Sequence, residues 1–337
     1  MTIGRRQTLA FLAATAGAAH LPGLAQTAPG AQGGSATTAW PNKPVRFVVG
    51  AAAGGSASDI VTRYFAERIA EKSGQPVLVE NRTGADGNVA AEAVARAPAD
   101  AHNFLVTGNN THAANVHLYK SLGFDPEKDF APVTTYARVP YVLLVNPVRV
   151  SARTLKDFIA NAKANPGKLS YASAAVASRV GVEQLKLMAG FDAVNVVYKS
   201  GAQAMTDLLG GHVDFFIADA ASALAQVKTG KVVPLGVTVA QRLPGAPDLP
   251  TIAEQGFPEF DFASWLAVWA RAGSPPAQVR AASTAINDAL STPAALAHLD
   301  KLGLLAYPGS PESLLALQRR ETERWGQAIR AAKIQPN

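Results

Sequence analysis

Arg46-Phe-Val-Val-Gly-Ala-Ala-Ala-Gly-Gly-Ser-Ala-Ser-Asp-Ile-Val-Thr-Arg63 is the stretch on which the reading of the chain turns. Phe47 to Val49 reads as a buried strand and Gly50 to Ser58 as a loop of small residues. A helix then opens at Ser58 or Asp59. Its apolar residues Ile60, Val61, Tyr64, Phe65 and Ile69 share one face, while Arg63, Glu67 and Arg68 point away. A strand that feeds such a loop into a helix leaves several backbone N–H groups without partners at the helix start. With the positive end of the helix dipole, those donors attract an anion. A simple turn capped by Ser58 or Asp59 is the alternative, and the choice between them rests on the remainder of the chain.

Outward from this unit the strand–loop–helix pattern repeats. Val77 to Glu80 reads as a strand, followed by Asn81 to Asn88 and a helix through Ala90 to Ala97. Phe104 to Thr107 is a third strand, running into the polar loop Gly108 to His112. Val133 to Tyr136 and Tyr141 to Val145 read as two strands separated by Arg138-Val-Pro140, the place where the chain crosses between domains. Thr154-Leu-Lys-Asp157 has capping-box spacing, with Asp where Glu is usual, and opens a helix ending before Pro166. Leu169 to Ser173, Val194 to Val197 and Asp214 to Ala218 each lead into a helix, and Val233 to Val237 is a further strand. Trp265 to Ala270 returns to the first domain, ahead of helices opening at Pro275-Pro276 and Ser310-Pro311. This alternation predicts an α/β protein of two domains, with a mainly parallel sheet in each and ligands held at the carboxyl ends of the strands, between the domains. The expected division is residues 40–141 with 264–337 as a discontinuous first domain and 142–263 as the second.

With 337 residues, 48% of them hydrophobic, the chain is long enough for two cores, and 17% charged residues argue against disorder. Its net charge of +6 is scattered rather than blocked, which speaks against a nucleic-acid surface. There is no cysteine, so disulfides, thiolate metal sites and cysteine nucleophiles are excluded. Met1 to Arg6 is a short basic segment, Thr8 to Ala19 is apolar but too short to span a bilayer, and Gly23-Leu-Ala25 offers a cleavage site. Residues 1–25 are therefore read as a secretory signal, which places the mature protein in the periplasm. Arg5-Arg6-Gln-Thr-Leu9 resembles a twin-arginine export signal, with Thr8 where an aromatic residue is usual, so the twin-arginine and Sec routes both stay open. Residues 26–39 read as a flexible tether.

The motifs of common chemistries are missing. No Gly-Lys-Ser/Thr follows the opening loop, its glycines do not fit the dinucleotide spacing, and no nucleophile elbow occurs. His112 and His117 are five apart, outside the usual metal-ligand spacings, and no metal, cofactor or catalytic group is expected. Asp207, Asp214 and Asp219 recur in neighbouring units, where a solvated face or turn hydrogen bonding accounts for them. What recurs instead is a row of loop ends rich in Gly, Ala, Ser and Thr, at Gly54 to Ser58, Ser173 to Ser178 and Ser200 to Ala202, with Asn109 to Thr111 alongside. Such loops supply neutral donors, which suits reversible carboxylate binding better than acid–base catalysis, although each serine is also a plausible cap.

An ordered series of motifs runs along the chain. It comprises Trp40-Pro-x-Lys-Pro-Val-Arg46, Gly54-Gly55 with Asp59-Ile-Val-x-Arg63, Val79-Glu-Asn-Arg82 and Gly84-x-x-Gly-Asn88. Thr111-His-Ala-x-Asn115, Asp129-Phe-Ala-Pro-Val133, Pro166-Gly-Lys-Leu-x-Tyr-Ala-Ser173 and Asp207-Leu-Leu-Gly-Gly-x-Val-Asp214 follow. From about Trp40 to the C-terminus the chain resembles the extracytoplasmic solute receptors of tripartite tricarboxylate transporters, the Bug family. The resemblance implies a type II, Venus-flytrap periplasmic binding protein. It would close on a small organic acid and deliver it, as a monomer, to membrane permease subunits, without catalysis. A sensor passing its signal to a membrane kinase, or an enzyme using Asp219 or His112, are the other readings. Carried over by position, ligand contacts fall on Ala52, Ala53, Gly54, Gly55, Ser56 and Ser58 in the first domain, with Thr111 beside them. Ser173, Ala174, Ser178 and Asp219 answer from the second. Gly50-Ala51 stands where the family usually has Pro and an aromatic residue, and three residues rather than two separate Gly55 from Asp59.

Overall fold

Strand β1 (Val45–Val49) carries the first buried run and feeds helix α1 (Ala57–Ser73) in the computed structural model, which describes residues 40–54, 56–174, 176–331 and 334–336. The signal and tether expected over residues 1–39, and Gly55 of the candidate loop, lie outside the described residues. Helix α1 starts earlier than its apolar pattern suggests. Ser56, in extended backbone, accepts from the Asp59 N–H and is the N-cap, so neither Ser58 nor Asp59 fills that position. Val61, Phe65 and Ile69 are buried as expected of the apolar face.

Next come β2 (Val77–Asn81), α2 (Asn88–Ala95) and β3 (Asn103–Gly108). The segment after β3 is helical rather than a polar loop: a π turn over Asn110–Ala114 runs into the short α3 (Asn115–Leu118). Thr111, His112, Ala113 and Ala114 are all buried there, and the polar side chains of Thr111 and His112 had hidden that burial in the sequence. The two strands expected at 133–145 are one, β4 (Phe130–Val145). Pro140 suggested a break, yet it sits where one set of neighbours gives way to another. Pairing with the short strand Leu305–Ala306 ends at Arg138 and pairing with the second half starts at Tyr141, so a missing N–H costs the ladder little. The second half contains α4 (Leu155–Ala164), β5 (Ser170–Ser173), α5 (Val176–Ala189), β6 (Val194–Val197), α6 (Gly201–Gly210), β7 (Phe215–Asp219), α7 (Ala220–Val227) and β8 (Val233–Val237). The chain returns through β9 (Ala263–Arg271), α8 (Pro276–Leu290), α9 (Pro293–Lys301), β10 (Leu305–Ala306) and α10 (Pro311–Ala331).

The strands form one curled sheet in the order β2-β1-β3-β9-β4-β7-β5-β6, with β8 and β10 also on β4. Both flanks are parallel, β2-β1-β3 on one side and β7-β5-β6 on the other. The crossing strands run antiparallel to their neighbours and to each other, because one carries the chain out and the other brings it back.

Apolar side chains gather in three clusters. One, with Phe47, Phe65, Phe104 and Ile286, belongs to the first half, and another, with Leu144, Met205, Phe216 and Val237, to the second. The third joins them: Leu105 and Trp269 from the first half, Phe158 and Phe215 from the second, and Trp325 of α10. Burying each such side chain contributes about 1.5–3 kcal/mol, and the shared cluster makes the two halves one compact body.

Candidate ligand-binding site

The loop after β1 is fixed from beneath by one carboxylate. Asp59 is fully buried at the start of α1. Its Oδ2 accepts from the Gly54 N–H at 2.7 Å and from Arg63 Nε at 3.0 Å, and its Oδ1 accepts from Asn81 Nδ2 at 2.8 Å and Arg63 Nη2 at 3.0 Å. Asn81 Nδ2 also donates to the Ala51 carbonyl at 2.9 Å, and Ser56 Oγ donates to the Ala52 carbonyl at 3.2 Å. Burial by itself raises the Asp59 carboxyl, but the hydrogen bonds from Arg63, Gly54 and Asn81 outweigh it and hold the group below its ordinary range. The Gly54 N–H is therefore spent inside the loop. Ala52, Ala53 and Gly54 are exposed on its outer side.

Two further loops close against this one. The turn Gly84–Gly87 passes through left-handed backbone, with φ 44° at Ala85, 53° at Asp86 and 92° at Gly87. A Cβ on Gly50 would meet Gly87 Cα at 3.1 Å, and a Cβ on Gly87 would meet the hydroxyls of Thr107 and Thr111 at 3.3 Å. Absence of side chains lets the loops after β1 and β2 touch backbone to backbone and lets Gly87 sit against the hydroxyls of Thr107 and Thr111.

Where they meet lies a cavity of about 280 Å³. Gly50, Ala51 and Ser58 form one wall, Asp86 another, the β3 end from Val106 to Asn110 a third, and Ser264 and Leu266 of β9 the fourth. Strand ends of an open α/β sheet converge on such a place. The lining is neutral apart from Asp86, and no Lys, Arg or His is among the described residues that form it. Asp86 Oδ2 accepts from the Tyr119 hydroxyl at 3.0 Å. Asn109 is 2% exposed; its Oδ1 accepts from the Trp265 N–H at 3.3 Å, and its Nδ2 has no partner among the described residues. Ser58 is buried, 3.3 Å from Ser56 Oγ. Ser264 Oγ is 2.8 Å from the Tyr141 hydroxyl, which burial pushes up to about 12.

Of the residues selected from the sequence, Ser58 lines this cavity. Ala52, Ala53, Gly54 and Ser56 belong to the adjoining loop, and Thr111 lies beneath it, bonded to Thr107. The second-half residues are engaged locally. Ser173 Oγ donates to Asn195 Oδ1 at 2.6 Å, Ser178 Oγ accepts from the Ala174 N–H at 3.1 Å, and Asp219 Oδ1 caps α7 by accepting from the Ser222 N–H at 2.9 Å. His112 is stacked on Trp269 at 3.8 Å, and burial drives it down to about 3, so it is neutral at any physiological pH. His117 Nε2 donates to the Thr322 carbonyl at 2.9 Å. Asn109 and Asn110 of the loop end singled out at Asn109 to Thr111 line it as well. Of the other polar lining residues, Asp86 and Ser264 were not among the candidates, although Asp86 stands inside the Gly84-x-x-Gly motif and was within reach of the sequence. Ser264 depends on the registry of β9 against β4, which no local pattern announces. A larger groove of about 910 Å³ runs between α1 and α8, where Trp40, Tyr64 and Ala285 line it, but it is walled by helix flanks rather than strand ends.

Among the described residues, no helix is long and apolar enough to cross a membrane. A protein of Pseudomonas sp. (strain P51), known as the UPF0065 protein in the tcbD-tcbE intergenic region, is 33% identical to this chain, covering 99% of it and 96% of its own length. R. palustris Rpa4515, solved with adipate, superposes with a TM-score of 0.74 at 33% identity over 88% of this chain and all of its own. The periplasmic binding protein BugD superposes with a TM-score of 0.70 at 30% identity, again over 88% of this chain and 100% of its own. The profile of the TctC family, the tripartite tricarboxylate transporter family receptors, matches residues 61–334. This chain belongs to that family, with the α/β fold of its periplasmic binding proteins, and is a solute-binding receptor rather than an enzyme.

Proposed function

We propose that this receptor captures a small organic acid in the cavity between β1, β3 and β9 and hands it to the membrane subunits of a tripartite tricarboxylate-type transporter. The observation that carries the reading is the cavity itself: a strand-end pocket walled, apart from Asp86, by neutral groups and closely packed backbone, with no nucleophile–base pair among its described residues. Capture from the periplasm fits the export signal at the N-terminus. Adipate held by a receptor 33% identical to this chain supports an acid as the solute class.

Capture is completed by closure of two domains, 40–141 with 264–337 against 142–263, about the crossing strands. Each half owns an apolar cluster beside the one they share, and β4 and β9 carry the chain between them. Ser173, Ala174, Ser178 and Asp219 then meet the ligand from the far side. Thermal unfolding of the mature chain against mono-, di- and tricarboxylates, aromatic acids and amino acids tests the proposal. An acid supplied at 100 times its dissociation constant stabilises the fold by about 2.7 kcal/mol and raises Tm by a few degrees. A panel that leaves Tm unmoved throughout refutes it.

A further inference from the structure

Among the described residues, the cavity has one acidic side chain and no basic one in its lining. Resting on the reading that the solute is an organic acid, we propose that Asp86 is the specificity-determining residue of this pocket and that the solute is a zwitterionic amino acid, its ammonium facing Asp86.

The turn that carries Asp86 does not ask for a charge. Its backbone lies at φ 53°, a conformation that Gly or Asn accepts as readily as Asp. Nor is the carboxylate used up in holding the turn. Tyr119 donates to Oδ2, and among the described residues Oδ1 has no partner. Close packing of Gly87 against Gly50, Thr107 and Thr111 fixes where the turn sits, and Asp86, itself exposed to solvent, is thereby placed in the lining of the cavity.

The rest of the lining answers the other end of an amino acid. Asn109 Nδ2 is buried in the cavity lining and has no partner among the described residues, with its carboxamide oriented by the Trp265 N–H, and Ser58 and Ser264 add hydroxyls. These are neutral donors suited to a single carboxylate. A di- or tricarboxylate would bring a second negative charge toward Asp86 with no Lys, Arg or His in the described lining to offset it, and like charges sharing a site exclude one another. An ammonium turns the same carboxylate into a charge-assisted partner.

Matched pairs isolate the amine. Calorimetric titration of the mature chain compares alanine with propionate, aspartate with succinate, glutamate with glutarate and phenylalanine with 3-phenylpropionate. In at least one pair the amine-bearing member is expected to bind about tenfold tighter than its des-amino partner, and Asp86→Asn to bring that ratio within about threefold. Equal or tighter binding of the des-amino acid in every pair overturns the assignment, as does a ratio unchanged in Asp86→Asn. The wild-type ratios decide the matter even if the variant does not fold. Failure of every acid, with and without an amine, overturns instead the organic-acid reading on which this inference rests.

Discussion

His112 shows how much one buried side chain says about the chemistry that is absent. It is enclosed by Trp269, Phe130 and Phe124, and neither ring nitrogen has a hydrogen-bond partner among the described residues. Desolvation takes its pKa from 6.5 to about 3, so the folded protein keeps it neutral while the unfolded chain protonates it near 6.5. Between those two values the unfolded state binds the extra proton, and stability is lost as pH falls, by up to about 1.4 kcal/mol for each pH unit. His112→Phe keeps an aromatic ring against Trp269 and removes the proton site. Urea midpoints measured from pH 7 to pH 4 are expected to fall less steeply in this variant than in the wild type, and parallel slopes would show that His112 does not set the acid sensitivity. A polar residue in a Thr-His-Ala motif invites a functional reading. Only the packing shows that it is a wall of the core.

The loop after β1 belongs to the scale of elements. A strand, a small-residue loop and a helix were legible in the sequence because apolar periodicity and glycine content report them directly. The grip of Asp59 on Gly54, Arg63 and Asn81 was not, since it joins residues of the loop, the helix and β2 that come together only when β2 pairs with β1. The same limit hid Ser264 and the continuity of β4, both products of registry between distant strands. Asp59→Asn keeps the shape of the side chain but removes the charge, leaving the Gly54 N–H and Arg63 with a weaker acceptor. A loss of about 1.5–3 kcal/mol is expected from denaturant unfolding at pH 7. Because the wild-type carboxyl is held below its usual range, its contribution is complete above the ordinary carboxylate range and disappears as pH falls through the depressed value. The difference between wild type and variant should therefore narrow in acid; a difference constant down to pH 2 would sink the assignment.

At the scale of the molecule, α10 is the clasp. Its apolar positions Leu314, Leu317, Trp325 and Ile329 lie in the cluster common to both halves, Trp325 packs 6.0 Å from Phe262, and the Arg324 guanidinium sits over the same ring. Trp325→Ala is expected to cost about 3–5 kcal/mol. It should also separate unfolding into two steps, seen as non-coincident circular dichroism and fluorescence transitions, where the wild type shows one. A single, merely shifted transition in the variant would mean that the halves are held together elsewhere. The pairing of β3 with β9 has a consequence for biogenesis. Phe104 lies opposite Ala270, so the strand that covers one edge of β3 is made only after the whole second half. A nascent chain that has emerged only as far as the second half presents β3 with that edge unpaired, an open template for association with other chains. Truncated products ending before residue 263 are thus aggregation-prone by construction, and the first half becomes a finished fold only when the last quarter of the chain arrives.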